Sequence, residues 1–124
     1  MWTTEELEKI AAADELQISS LRRDGTLSKS VTIWVVRHGD DLYVRSAYGR
    51  GSAWFRAAEE RHEGHISAGG VEKIVRFVAG ADGADDAIDA AYRAKYSRYP
   101  AVYVEHVTSP DARATTIKLV PSDA

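Results

Sequence analysis

The chain has 124 residues, a mass of 13.6 kDa and 44% hydrophobic residues, enough for one packed domain and too little for two ordinary ones. A charged fraction of 28% and a formal charge of -3 describe an ordinary globule and argue against a disordered chain or a polyanion binder acting through overall charge. With no cysteine, disulfides, thiolate nucleophiles and cysteine-ligated metal centres are excluded.

The charge is unevenly spread. Leu42 to Ala58 holds Arg45, Arg50 and Arg56 with no acid, a local +3, whereas Met1 to Leu16 sums to -4. No run approaches the roughly 20 apolar residues of a membrane span, and the acidic start lacks the basic residues of a secretory signal. The expected location is the cytoplasm, with no membrane partner.

The first element is a capped helix. Thr3 is the N-cap, Glu6 completes a capping box, Trp2 is placed to staple against Leu7, and Leu7, Ile10 and Ala11 form the apolar stripe. Short β-type runs follow, beginning with Leu16–Leu21 and the hairpin dipeptide Asp24-Gly25. Ser28 to Arg37 reads as one strand, with Val31, Ile33 and Val35 on one face and Thr32, Trp34 and Val36 on the other. A turn at His38–Asp41 leads to the alternating strand Leu42–Ser46.

Gly49-Arg50-Gly51 leads into a helix over Ser52–Arg61 with Ser52 as cap. Strands His65–Ala68 and Val71–Val78 are joined by Gly69-Gly70. Ile88, Tyr92, Tyr96 and Tyr99 mark a further helix that Pro100 stops. Val102–Val107 reads as an additional short strand, and Arg113–Val120 as the last one. About six antiparallel strands with two or three peripheral helices predict an α+β, mainly β fold, a small barrel over residues 1–124, because closing the sheet hides its edges.

The chemistry-bearing candidate is the strand, turn and helix start over Leu42–Arg56. Backbone N–H groups and the helix dipole at Ser52–Trp54 favour an anion there. Arg45, Arg50 and Arg56 can supply forked donors to its phosphate or carboxylate, and Ser46 or Ser52 a hydroxyl. The competing account is that the glycines only turn the chain while the arginines pair with the acidic helices. Trp34, Tyr43, Tyr48 and Trp54 cluster on the same strands and turn, so a planar heteroaromatic ligand suits the place, as ordinary core or interface packing does.

His62-Glu63-Gly64-His65 is one residue short of the HExxH spacing, so no metal site is expected. No Gly-x-Ser-x-Gly elbow, Rossmann fingerprint or P-loop is present. Nucleic acid is not an expected partner, since a charge of -3 provides little long-range attraction.

Several short motifs in combination carry a resemblance: Ile33-Trp34-Val35-Val36, Leu42-Tyr43-Val44-Arg45-Ser46 with Gly49, and Ser52 with Trp54. To these are added Ile88-Asp89, Tyr92-Arg93, Lys95-Tyr96, Ala114-Thr115-Thr116, and Leu119 with Pro121. Nearly end to end the chain resembles the bacterial domain of unknown function 2255, which looks like a branch of the split β-barrel flavin-binding proteins. These include pyridoxamine phosphate oxidases and deazaflavin-dependent reductases. The resemblance implies a homodimer with FMN or a deazaflavin in a groove between subunits. Arg45, Ser46, Arg50 and Ser52 would stand at the cofactor phosphate and Trp34 and Trp54 beside its ring. The chain departs from the deazaflavin reductases, which commonly show Pro before the helix tryptophan and Asn soon after it. In such enzymes the cofactor performs the hydride chemistry, so no catalytic residue need stand out. The alternative expectation is a non-enzymatic split barrel that binds another anionic small molecule or a protein partner.

Overall fold

Local signals at the N-terminus form as read. In the computed structural model, which describes residues 1–122, the Glu6 N–H donates to Thr3 Oγ1 at 3.1 Å and the Thr3 N–H to Glu6 Oε1 at 3.0 Å. Two donors at the start of helix α1 (Thr4–Ala12) are thereby satisfied. Trp2 and Leu7 are buried in the same core, and the Trp2 indole N–H donates to Leu119 O at 3.0 Å.

Seven strands build the sheet: β1 (Leu16–Ser20), β2 (Val31–Ile33), β3 (Val36–His38), β4 (Asp41–Val44), β5 (Glu63–Ala68), β6 (Val71–Ala79) and β7 (Ile117–Pro121). All pairings are antiparallel, in the order β2-β1-β5-β6-β7-β4-β3. The end strands of that order, β2 and β3, are neighbours in the chain, so the sheet curls into a half-barrel whose edges are linked through Trp34 and Val35.

The expected count of six is therefore corrected to seven, because Ser28–Arg37 is not one strand. Val31 and Ile33 pair with Ile18 and Leu16, whereas Val36 and His38 pair with Tyr43 and Asp41 on the other side of the sheet. At the crossing Val35 has no ladder partner, and side chains replace it. Its N–H donates to Tyr96 Oη at 3.1 Å, and its carbonyl accepts from Lys95 Nζ at 2.6 Å. Burial there pulls the Lys95 ammonium down to about 8.

Five α-helices, rather than two or three, accompany the sheet among the described residues: α1, α2 (Ala53–Arg61), α3 (Asp85–Lys95), α4 (Ala101–Val107) and α5 (Pro110–Arg113), with a 3-10 turn at Gly49–Gly51. The strand expected at Val102–Val107 is α4. Its Val104 and Val107 stand three apart on one helical face that packs with α3. Pro100, expected to stop α3, is instead the N-cap of α4. The last strand begins later than expected, since the Thr115 and Thr116 hydroxyls donate back to Ala112 O and Arg113 O at 2.7 and 2.8 Å and hold a turn after α5.

Two cores result. Leu16, Ile18, Val35, Leu42, Val44, Ile66, Leu119 and the inner faces of α1 and α2 fill the half-barrel. Val36 and Tyr43, on the opposite face of β3 and β4, pack with Ile88, Tyr92 and Tyr96 of the α3 region and with Val107 of α4. The second core places α3 and α4 beside the β4–α2 turn.

Candidate functional site

The turn between β4 and α2 is held by hydroxyls. The Ser46 Oγ–H donates to Gly49 O at 2.6 Å, and the Ser46 and Ser52 hydroxyls are in hydrogen-bond contact at 2.8 Å. The Ser46 N–H donates to Thr115 Oγ1 at 2.8 Å. Gly49, buried at φ 77°, takes the left-handed conformation that the following single turn Gly49–Gly51 needs. Ser52 occupies the N-cap of α2 with no side-chain capping bond, its hydroxyl being turned to Ser46.

Beside this turn lies a groove of about 450 Å³. Four of the six residues read from the sequence line it: Trp34, Arg45, Ser52 and Trp54. Ser46 adjoins through its contact with Ser52. Trp34 stacks on Tyr96 with ring centroids 3.8 Å apart and planes 5° apart, so its indole is a fixed wall. Tyr99, Tyr103, His106 and Val107 also line it, as do Tyr48 and Val31. Sequence reading missed Tyr103 and His106 because it placed them on a strand, and the usable signal was Pro100 followed by Val104 and Val107 at helical spacing.

Arg45 is fully buried, and all five of its N–H donors are engaged within the chain. Nε–H donates to Thr116 Oγ1 at 2.9 Å, Nη1 to Asp89 and to Val107 O at 3.1 Å, and Nη2 to Asp85 Oδ1 and Asp85 O at 3.2 and 3.3 Å. Its guanidinium stands 5.5 Å from the Tyr92 ring centre. The Tyr92 hydroxyl meets no hydrogen-bond partner among the described residues, and burial pushes its phenol well above the ordinary range. Arg45 thus ties β4 to α3, α4 and the turn before β7, and forms the floor of the groove.

Arg50 is not brought to the groove. Its Nη1 donates to Glu59 at 3.1 Å, its Nη2 to Ala114 O at 3.2 Å, and it lies over Phe55 beside a separate hollow. Arg56 is exposed on α2. The +3 island of the sequence is therefore dispersed in space, with Arg45 and Arg50 both ion-paired. For a phosphorylated flavin-type cofactor, the aromatic walls fit the ring, while the arginines nearest to it already hold acids of this chain.

Among the described residues no group of three or more His, Asp or Glu is arranged to hold a metal ion, and no helix is long and apolar enough to cross a membrane.

No curated protein matches the chain. Among solved structures it is similar to a pyridoxamine 5'-phosphate oxidase-like protein from Listeria innocua, at 12% identity and TM-score 0.63, covering 96% of this chain and 92% of that one. It is also similar to an F420 reductase, at 13% identity and TM-score 0.56 over 93% of this chain and 92% of that one. A FAD-binding protein from Mesorhizobium loti is similar at 15% identity and TM-score 0.56, over 98% and 91%. At such identities these likenesses show the fold alone, a split barrel. Residues 6–119 match the family described as "Uncharacterized protein conserved in bacteria (DUF2255)", and the chain belongs to that family.

Proposed function

We infer that the protein binds a flavin or deazaflavin with its ring in the aromatic groove, at an interface between two copies of the chain, and serves as an oxidoreductase. The observation that carries this reading is the groove itself. Walls of Trp34 and Trp54 stand beside the β4–α2 turn of a fold shared with a protein named as FAD-binding and another named as an F420 reductase. The bound cofactor would supply hydride transfer. The chain's own residues hold and orient it: Trp34 and Trp54 flank the ring, Ser46 and Ser52 shape the turn at its edge, and Arg45 sets the floor. Arg50 would reach a ligand only by releasing Glu59.

Support for a second copy comes from the groove's mouth. Tyr48 is 75% exposed, Tyr103 49% and Val31 38%, apolar surface that an interface would cover. A second reading is a split barrel that binds another anionic molecule or a protein partner without catalysis, and the engagement of Arg45 and Arg50 in ion pairs favours its protein-partner form.

The test is titration of the purified protein with riboflavin, FMN and a deazaflavin, followed by tryptophan quenching and the visible spectrum, with molar mass from light scattering. Saturable binding by a dimer, weakened at least about tenfold in Trp54→Ala (~1.4 kcal/mol), is expected. Absence of saturable binding by all three ring compounds overturns the reading.

A further inference from the structure

The groove continues past Trp54. Val31 and Trp54 also line a second recess of about 300 Å³ between α2 and the β1–β2 connection, and this recess carries Arg22 and Lys29. Arg22 in turn lines a third recess, of about 290 Å³, together with Arg23 and Arg61. Shared residues thus set three neighbouring hollows in a row along α2.

Charge changes along that row. At the aromatic end the single arginine, Arg45, has every donor filled. At the far end Arg22, Arg23, Arg61 and Lys29 form no ion pair among the described residues, although Glu60 and Glu63 line the same recess. Arg61 Nη1 is shut off from solvent and meets no hydrogen-bond partner. Arg22 uses only Nη1, on Thr26 Oγ1 at 3.4 Å and Leu27 O at 3.2 Å. A buried guanidinium nitrogen without an acceptor is unfavourable until an acceptor arrives, and forked cationic donors suit phosphate oxygens.

We propose that this basic end receives the phosphorylated tail of an elongated ligand whose planar ring lies in the aromatic groove. The proposal rests on the ring-binding reading and adds where the anion goes: to Arg22, Arg23, Arg61 and Lys29 rather than to Arg45 and Arg50. Because the basic end is separated from the aromatic end by the Trp54 recess, a ligand carrying its charge far from the ring is favoured, and FAD is the probe.

Riboflavin and FAD are titrated against the wild type, Arg61→Gln and the double variant Arg22→Gln/Arg23→Gln, whose changes lie on an exposed loop and spare the core. FAD should bind the wild type at least about tenfold more tightly than riboflavin, and its affinity alone should fall steeply with added salt. Both variants should erase that advantage while leaving riboflavin affinity unchanged. Equal weakening of the two ligands, or FAD binding untouched by either variant, overturns the proposal. If neither ligand binds the wild type, the ring-binding reading has failed, and thermal shift with inorganic pyrophosphate then tests the basic end alone. Stabilisation that Arg61→Gln abolishes supports the anion site, and no stabilisation removes it.

Discussion

Replacing Asp89 by alanine should cost the protein about 3 kcal/mol, within the range for removing one partner of a buried ion pair. The Arg45 side chain is 0% exposed and Asp89 8%, so the guanidinium cannot recover water when the carboxylate is removed. Asp85 remains at 3.2 Å and is itself 39% exposed, which keeps the loss from being larger. Asp89 also stands 3.6 Å from Arg113 Nε, a contact on the same side of the structure that would be lost too. For a chain of this size about 3 kcal/mol corresponds to a fall in Tm of roughly 10–15 °C. Urea unfolding followed by tryptophan fluorescence, with calorimetry at pH 7, measures both quantities. The double variant Arg45→Met/Asp89→Leu should not regain the full loss, because Asp85, Thr116 and Val107 O then lose the donors that Arg45 gives them. A loss below about 1 kcal/mol for Asp89→Ala would refute the assignment of Arg45 as an internally committed pillar of the groove.

Gly64→Ala should be severely destabilising, by more than the ~1–3 kcal/mol typical of an overpacked core, because a Cβ there would stand 2.0 Å from Ser19 O and 2.7 Å from Phe77 Cζ. Soluble yield and Tm check it, and a near-wild-type Tm would show that β1 and β5 can separate more easily than their pairing suggests. Stability should also depend on pH in the alkaline range. The folded-state pKa of Lys95 is lowered by burial to about 8 from 10.5, so its contribution grows as pH rises between those values. The phenols of Tyr43, Tyr92 and Tyr96 are raised above 10.0 chiefly by burial, so their contribution is complete below pH 10 and is lost above it. Urea midpoints from pH 7 to 11 should climb from pH 8 and turn over near pH 10, and Lys95→Met should abolish the climb but not the fall. Parallel profiles for wild type and variant would contradict the placement of the Lys95 ammonium against Val35.

The parts of this protein legible in the sequence are those whose cause is local. The capping box joins residues three apart, and the Asp24-Gly25 and Gly69-Gly70 turns carry the positive φ values of their glycines within the turn itself. Alternation over Leu42–Val44 places Leu42 and Val44 in one core and Tyr43 in the other, as period-two patterning requires. The groove's place was likewise legible, because Trp34, Arg45, Ser52 and Trp54 lie on elements joined by one short turn or paired through one strand.

Tertiary structure decided the rest. The run Ser28–Arg37 has the composition of one strand, and it divides only because its halves must pair with opposite edges of a curled sheet, with Tyr96, 61 residues away, accepting the Val35 N–H. Val102–Val107 has valines that suit a strand, and it is helical where Val104 and Val107 find a packing face on α3. Arg45 reads as a free cation until Asp89, 44 residues on, is folded against it. Period and turn chemistry operate within a few residues and survive in the sequence. The destination of a charge or a strand edge depends on which distant group reaches it, and the folded chain alone sets that.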